Sequence, residues 1–191
     1  MHKISNYLVL LIIALLSTLV FSQEMEQDAM MKAWQESMTP GPQHEMLAQM
    51  VGEWNGEITM WMDPAQPPQT YDGHVVYESI FDGKYIVGNF SSTMMGMPFS
   101  GMDLNGYDNI KKVFFTTWID NMGTGLLYVE GTYDENSNSI TYTGETVDPM
   151  GNNMKVRNVV TLIDKDNSKF EMYIDYGSSE MKSMEITYKR K

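Results

Sequence analysis

The sequence has 191 residues, no cysteine and a formal net charge of −12, from 25 acidic and 13 basic residues. A chain this acidic is repelled by phosphate backbones and by anionic membrane surfaces, so nucleic acid is excluded as a natural partner. Without cysteine, disulfides and thiol chemistry are excluded as well. The simplest consequence of the acidity is solubility.

The N-terminus is typical of a secretory signal peptide. Lys3 precedes the uncharged apolar run LVLLIIALLSTLVF, from Leu8 to Phe21, and Ser22 supplies a small residue at which a signal peptidase could cut. The run is shorter than the roughly 20 residues that a membrane-spanning helix needs. We therefore expect residues 1–22 to be cleaved and the mature chain to be exported, periplasmic or secreted, and not to span the membrane.

The remaining residues, 23–191, suffice for one domain with its own core. Residues 24–38 have the apolar spacing of an amphipathic helix. The TPGP stretch at 39–42 ends that helix, and residues 44–51 predict a second short helical piece. We predict that residues 23–51 form a helical segment that caps the domain that follows.

From Gly52 onward the apolar period falls to two, which is typical of β-strands. No helical crossover separates the strands, so neighbours are expected to pair antiparallel, and closing the meander into a barrel removes its edges. We predict an all-β barrel of ten antiparallel strands over residues 52–191, with a two-sheet sandwich as the alternative. Nine turn-forming stretches divide these strands: 63–68, 81–84, 94–98, 107–112, 120–125, 134–138, 148–153, 164–169 and 176–180.

Two resemblances support this fold. A short helix that runs into Gly52-Glu53-Trp54, with Arg190 near the end of the last strand, resembles the calycin pattern of lipocalins, fatty-acid-binding proteins and nitrobindin-like barrels. It implies that Arg190 covers the ring of Trp54 at the closed end of the barrel. From about Trp34 to Lys191, the stretches MTPGP, GEWNGEITMWMDP, MMGMPFSG, GYDNIKK, TWIDNMGTG and VEGTYDE resemble the bacterial domain-of-unknown-function family 1579. That resemblance implies a compact calycin-like domain and brings no activity with it.

The stretch TWIDNMGTG, residues 117–125, predicts a hairpin turn between the fifth and sixth strands. No helix follows it and it holds no lysine, so it is not a phosphate-binding loop. We expect Asp120 or Asn121 to hydrogen-bond the backbone of the turn. Gly123 and Gly125 are expected to supply a positive φ or a close backbone approach.

The sequence offers no catalytic, cofactor or metal site of a known kind. After the leader only His44 and His74 remain, and His74 shares a face with acidic residues, which predicts an outward, solvated side chain. Haem, which the nitrobindin resemblance suggests, needs an axial ligand, and the later strands hold no histidine. A lipocalin-type enzyme would require polar groups to converge at the barrel mouth, and the residues that could do so are Asn89, Tyr107, Asp120 and Asn121.

Methionine is unusually frequent, with 19 residues. Met94, Met95 and Met97 are bunched, with Met102 nearby, and thioethers bind Cu(I), so a copper-binding periplasmic protein is one alternative. Methionine also makes adaptable apolar linings. We favour the lining, because methionines occupy the expected inward faces of several strands: Met60, Met62, Met172 and Met184.

A ten-stranded barrel has more internal room than an eight-stranded one, so it is expected to hold a ligand. The fifth and eighth strands are apolar on both faces, which leaves their registers open. Arg157 is therefore either a surface charge, which we favour, or a buried partner for a ligand carboxylate. We predict an exported, non-enzymatic barrel that binds a small apolar or amphipathic molecule; a structural or partner-binding domain is the other alternative. The candidate lining or rim residues are Trp54, Ile58, Met60, Phe90, Met97, Phe99, Trp118, Asp120, Tyr142, Arg157 and Tyr188.

Overall fold

The structure is a computed structural model that describes residues 25–63, 65–177 and 179–191. The predicted signal peptide lies outside the described residues. The chain divides into two units, Met1–Thr39 and Pro40–Lys191. In the first unit, residues 25–38 form helix α1, which confirms the first predicted helix and carries an ion pair between Lys32 and Glu36, 3.9 Å apart. Along the described ranges, no helix is both long and apolar enough to cross a membrane.

The second unit contains the short helix α2 and ten strands that form a closed antiparallel barrel. Each strand pairs with its neighbours in sequence, and β10 closes onto β1. Every observed connection overlaps one of the nine predicted turns. The predicted barrel is confirmed, and the sandwich alternative is wrong. The elements are α2 (Pro42–Ala48), β1 (Gly52–Met60), β2 (Gln69–Ile80), β3 (Tyr85–Met94), β4 (Met97–Asp108), β5 (Val113–Asp120), β6 (Leu127–Asp134), β7 (Ser139–Val147), β8 (Asn153–Asp164), β9 (Asn167–Asp175) and β10 (Glu180–Arg190).

The core follows from the alternation of side chains along each strand. In β1, Trp54 and Ile58 are buried while Glu53 and Glu57, on the other face, are exposed. Burial of each such large apolar side chain contributes roughly 1.5–3 kcal/mol to folding. Of the methionines expected on inward faces, Met60, Met172 and Met184 lie on the inner face and Met62 does not. The other large side chains of the inner face include Trp54, Ile58, Ile86, Phe90, Leu127, Val129, Ile140, Tyr142, Phe170, Ile174, Ile186 and Tyr188.

Met62 is the exception: its predicted inward position is wrong. Strand β1 ends at Met60, so Met62 falls in the connection to β2, where its side chain is 67% exposed. The two ambiguous strands are resolved by their neighbours. In β5, Phe114 is buried opposite Gly131, and in β8, Val156 and Asn158 are buried.

Helix α2 closes one end of the barrel, here called the helix end. It packs against β3 and β4 and buries His44 and Leu47. The Nδ1 atom of His44 accepts a hydrogen bond from the backbone N–H of Gly41 at 3.0 Å, and its ring meets that of Tyr107 on β4 edge to face, with centroids 5.9 Å apart. Burial lowers the pKa of His44, which favours the neutral imidazole that this contact needs.

Arg190 ties the same end together. Its guanidinium lies 4.1 Å from the centre of the Trp54 ring, which confirms the pair that the calycin resemblance implies. It donates hydrogen bonds to the carbonyls of Gln49 at 2.6 Å and Val51 at 2.7 Å, and to a third carbonyl in the β8–β9 turn. The indole Nε1 of Trp54 donates to the carbonyl of Met50 at 2.7 Å. The last strand therefore locks the chain that links α2 to β1.

Candidate functional site

The opposite end of the barrel, here called the far end, is formed by the connections 61–68, 95–96, 121–126, 148–152 and 176–179. Large apolar side chains lie on the inner face toward this end and are only partly buried, whereas deeper inward residues such as Ile58 and Ile86 have no exposed surface. This inner lining consists of Met60, Tyr71, Phe99, Trp118, Leu127 and Met184.

Three aromatic rings organise one side of the inner lining. The ring of Phe90 makes edge contacts with Phe99 at 5.9 Å and with Trp118 at 6.1 Å between centroids. Phe99 and Trp118 stack on each other at 6.3 Å. Such contacts fix the rings beyond what burial of their area alone would do.

An apolar rim surrounds the lining. Each of the five connections at the far end carries a large apolar side chain that is at least half exposed. Isolated exposed apolar residues are common, but a ring of them around one opening indicates a binding surface. The rim consists of Met62, Met95, Met122, Leu126, Met150 and Tyr176.

Asp120 fixes both the rim and the lining at the β5–β6 turn. Its Oδ1 accepts hydrogen bonds from the backbone N–H groups of Met122 at 2.9 Å and Gly123 at 3.1 Å, and its Oδ2 accepts from the indole Nε1 of Trp118 at 2.8 Å. The predicted hydrogen-bonded turn is confirmed. The predicted role of Gly123 and Gly125 is wrong, because neither has a left-handed φ and a Cβ on either would meet nothing closer than 3.9 Å. The Asp120 carboxylate organises the turn instead.

A polar cluster lies deeper in the barrel, around Asp103 on β4. Its Oδ1 accepts hydrogen bonds from the backbone N–H of Gly88 at 2.9 Å and from Nδ2 of Asn105 at 2.8 Å, and its Oδ2 accepts from the hydroxyl of Tyr77 at 3.3 Å. A Cβ on Gly88 would lie 2.4 Å from the Tyr77 ring and 2.5 Å from Oδ1 of Asp103. Only glycine at position 88 therefore lets these groups meet.

Electrostatics extend this cluster to two more tyrosines. Burial raises the pKa of Asp103 to about 7 and outweighs the three hydrogen bonds that lower it. Burial and the Asp103 charge also raise the pKa values of Tyr142 and Tyr188, so both hydroxyls lie within reach of its field. Asn158, the cross-strand partner of Tyr142, is 4% exposed. We call the set Tyr77, Asp103, Asn105, Tyr142, Asn158 and Tyr188 the inner polar cluster.

The sequence analysis missed Asp103 and Asn105, and the reason is specific. Both lie on the inner face of β4, in register with Gly88 and Ile86 of β3. Alternation assigns polar residues outward, so a carboxylate on the inner face goes against the rule by which the other strands were interpreted. The available indication was period two from Phe99, which places Gly101, Asp103 and Asn105 on the face of an aromatic.

Aromatic rings in the barrel lie against glycines of the neighbouring strand. A Cβ added at any of these glycines would come within 2.3–3.0 Å of a ring atom, closer than side chains pack. The rings therefore lie on the bare backbone of the barrel wall. The pairs are Tyr188 on Gly56, Phe90 on Gly73, Tyr77 on Gly88, Trp118 on Gly101 and Tyr142 on Gly131.

Most of the candidate site residues lie on the inner face, and Met97 lies at the far end, 49% exposed. Arg157 does not join them. It faces outward, pairs with Glu180 at 2.6 Å and covers the ring of Tyr173 at 3.9 Å. The structure thus selects the outward alternative, and Arg157 is not a partner for a ligand carboxylate inside the barrel.

The residues proposed for an enzyme do not converge. Tyr107 contacts α2 at the helix end, whereas Asp120 lies at the far end. Asn89 is on the outer face, and Asn121 bonds the backbone of the β3–β4 hairpin. His74 lies on the outer face beside Asn55, as predicted.

Three of the four bunched methionines stay together at the β3–β4 hairpin. Met94 and Met97 are cross-strand partners and Met95 lies in the turn between them, whereas Met102 is exposed on the outer face of β4. Within the described ranges, no three His, Asp or Glu side chains lie close enough to hold a metal ion together.

A solved structure of similar fold supports the barrel. The crystal structure of Rv2717c from M. tuberculosis is similar, with a TM-score of 0.58 and 15% identity over 80% of this chain and 99% of that one. A redesigned β-barrel, b11L5F_LGL, aligns with a TM-score of 0.38 and 19% identity over 75% of this chain and 93% of that one. No curated protein sequence matches significantly. The model of one family, "Protein of unknown function (DUF1579)", matches residues 39–190. The chain therefore belongs to the DUF1579 family.

Proposed function

We propose that this protein is an exported, non-enzymatic barrel that holds a small amphipathic molecule, with access through the far end. Export rests on the apolar leader in residues 1–22 of the sequence. The observation that carries the binding proposal is the inner lining, whose large apolar side chains stay partly accessible while the helix end is closed by α2 and Leu47.

The lining suits an apolar chain. Methionine and aromatic side chains adapt to ligands of varied shape, and Met60, Trp118 and Met184 contribute such surface from three strands. Burial of a ten-carbon chain contributes roughly 8 kcal/mol, which is comparable with the cost of association. A purely apolar ligand would therefore bind only weakly, and contacts with polar groups at the inner end of the ligand decide the affinity.

The proposal is tested by titration of the purified mature protein with Nile red, an uncharged apolar dye whose fluorescence rises on burial. We expect saturable binding of one dye per barrel. Met184→Lys, which puts a charge in the inner lining, should weaken binding at least about tenfold, because a charge must then be desolvated beside the dye. Met102→Lys is the matched control, since Met102 lies on the outer face of β4 and is 41% exposed; its affinity should stay within about twofold.

Circular dichroism must show that both variants keep the barrel. Native mass spectrometry of the mature protein, incubated with a hydrophobic extract, then identifies the class of molecule retained. Absence of saturable dye binding, together with no retained molecule, would show the proposal to be wrong. Equal losses in the two variants would show that the dye does not bind at the inner lining.

A further inference from the structure

We infer that the inner polar cluster binds the polar group of the ligand, and that this group is a hydrogen-bond donor without negative charge, such as a hydroxyl or an amine. The inference rests on the proposed function and adds the chemical class of the ligand. It follows from the acceptors that the cluster leaves open, from the absence of a cation beside Asp103 among the described residues and from the accessibility of the cluster.

Asp103 has an acceptor position to spare. A carboxylate offers about four lone-pair positions. Two donors fill Oδ1, from Gly88 and Asn105, whereas Oδ2 receives only the hydroxyl of Tyr77 at 3.3 Å, a long contact for a hydroxyl donor. A ligand donor at Oδ2 would therefore complete the coordination of this carboxylate.

Asn158 provides a second open acceptor. Its side-chain Oδ1 is buried and has no hydrogen-bond partner among the described residues. A buried polar atom left without a partner costs about 1–3 kcal/mol. Asn158 lies opposite Tyr142, whose hydroxyl is within the field of Asp103. Both open acceptors would be satisfied by hydrogen-bond donors and not by further acceptors.

A carboxylate or phosphate ligand is disfavoured by charge. None of the groups that shift the pKa of Asp103 is a lysine or an arginine. Arg157 lies on the outer face, and Arg190 is committed to carbonyls at the helix end. Two negative charges about 4 Å apart repel by about 4 kcal/mol at an effective dielectric constant of 20. An ammonium group would gain a similar amount, and a hydroxyl would meet no repulsion.

The cluster can be reached from inside the barrel. Asp103 and Tyr188 both point inward and are deep enough for burial to dominate their pKa shifts. Each nevertheless keeps part of its surface accessible. Trp118 of the inner lining is the cross-strand neighbour of Asp103, so the cluster adjoins the lining. The polar group of an amphipathic molecule can therefore lie at Asp103 while its apolar part fills the lining.

The test compares three ligands with the same chain and different polar groups: dodecanol, dodecylamine and dodecanoate. Each displaces Nile red from the wild type, from Asp103→Asn and from Asp108→Asn at about pH 8, where the Asp103 carboxyl is ionised in the wild type. Asp108 is the control, because its carboxylate caps the β4–β5 turn at the helix end. We expect the wild type to bind the alcohol and the amine at least about tenfold more tightly than dodecanoate. Asp103→Asn should reduce the preference for the amine over dodecanoate by about tenfold or more, and Asp108→Asn should leave it unchanged.

The outcomes separate the two proposals. The inference about the polar group is wrong if dodecanoate binds as tightly as dodecylamine, or if Asp103→Asn keeps the preference for dodecylamine over dodecanoate. Either result leaves the proposed function standing. Failure of all three ligands and of Nile red to bind overturns both. Asp103→Asn keeps an amide of the same shape, and thermal unfolding of each variant verifies that it is folded under the assay conditions.

Discussion

The buried carboxyl of Asp103 makes the stability of the barrel depend on pH in an unusual direction. Its pKa is raised from 3.8 to about 7 in the folded protein. Between these values the folded state binds more protons than the unfolded state, so stability falls as pH rises through this window. A difference of about three pKa units corresponds to about 4 kcal/mol at most, since Asp103 keeps some accessible surface.

Asp103→Asn removes this ionisation while keeping the shape of the side chain. Its amide oxygen can still accept from Gly88 and Asn105, and its NH₂ group can donate to Tyr77. We therefore expect the variant to be more stable than the wild type at about pH 8, by up to about 4 kcal/mol, and the difference to disappear by about pH 4. The gain in the free energy of unfolding at about pH 8 measures the cost of keeping an ionised carboxylate at position 103 in the folded wild type.

The assay is urea unfolding at a series of pH values, followed by tryptophan fluorescence. Only the difference between variant and wild type is interpreted, because other groups titrate equally in both. Asp108→Asn supplies a control of opposite sign: backbone N–H groups of Lys111 and Ile110 lower the pKa of Asp108, so this variant should lose stability at neutral pH and recover in acid. A difference for Asp103→Asn that does not change with pH, or a loss of stability at about pH 8, would refute the assignment of a raised pKa.

Two further predictions concern packing. Arg190→Lys keeps the charge but loses the planar guanidinium that covers Trp54 and donates hydrogen bonds to several carbonyls. We expect the free energy of unfolding, measured in urea, to fall by about 2–3 kcal/mol. A change below about 0.5 kcal/mol would contradict the role of this contact. Gly101→Ala places a Cβ 2.3 Å from the Trp118 indole, so we expect the free energy of unfolding to fall by about 1–3 kcal/mol and the tryptophan fluorescence to change. Gly125→Ala, where a Cβ has nothing within 4 Å, should have neither effect. Equal behaviour of the two variants would argue against the packing of Trp118 on Gly101.

The turns were the most predictable part of this fold. Stretches such as DENSN contain the side chains that hydrogen-bond the turn they form. The carboxylate of Asp134 accepts hydrogen bonds from the backbone N–H of Asn136 and from the hydroxyl of Ser137 within the β6–β7 turn. The alternation in β1 likewise states which face is inward. With the turns and one face known, a closed meander is the only arrangement that leaves no strand edge among ten.

The site was less predictable, because its decisive residues break the local rules. The strand VFFTTWID is apolar on both faces, and its inward face is known only from its pairing with β6, in which Phe114 lies opposite Gly131. Asp103 is polar and inward, a position that period two from Phe99 indicates but that the rule of outward polar residues opposes. Its position becomes reasonable only when Gly88 and Tyr77, from two other strands, are placed beside it. The side-chain orientations that alternation does not predict are therefore determined by contacts between segments that are distant in the sequence.

The rings that rest on glycines have a consequence for the size of the barrel's lumen. A ring that lies directly on the backbone of a glycine takes up little of the barrel interior. A methyl group at that position would push the ring toward the barrel axis. The width of the barrel interior therefore depends on glycines, which have no side chain in it. Barrels with the same strand number and the same aromatic residues can therefore differ in the ligand they admit through glycine-to-alanine changes alone.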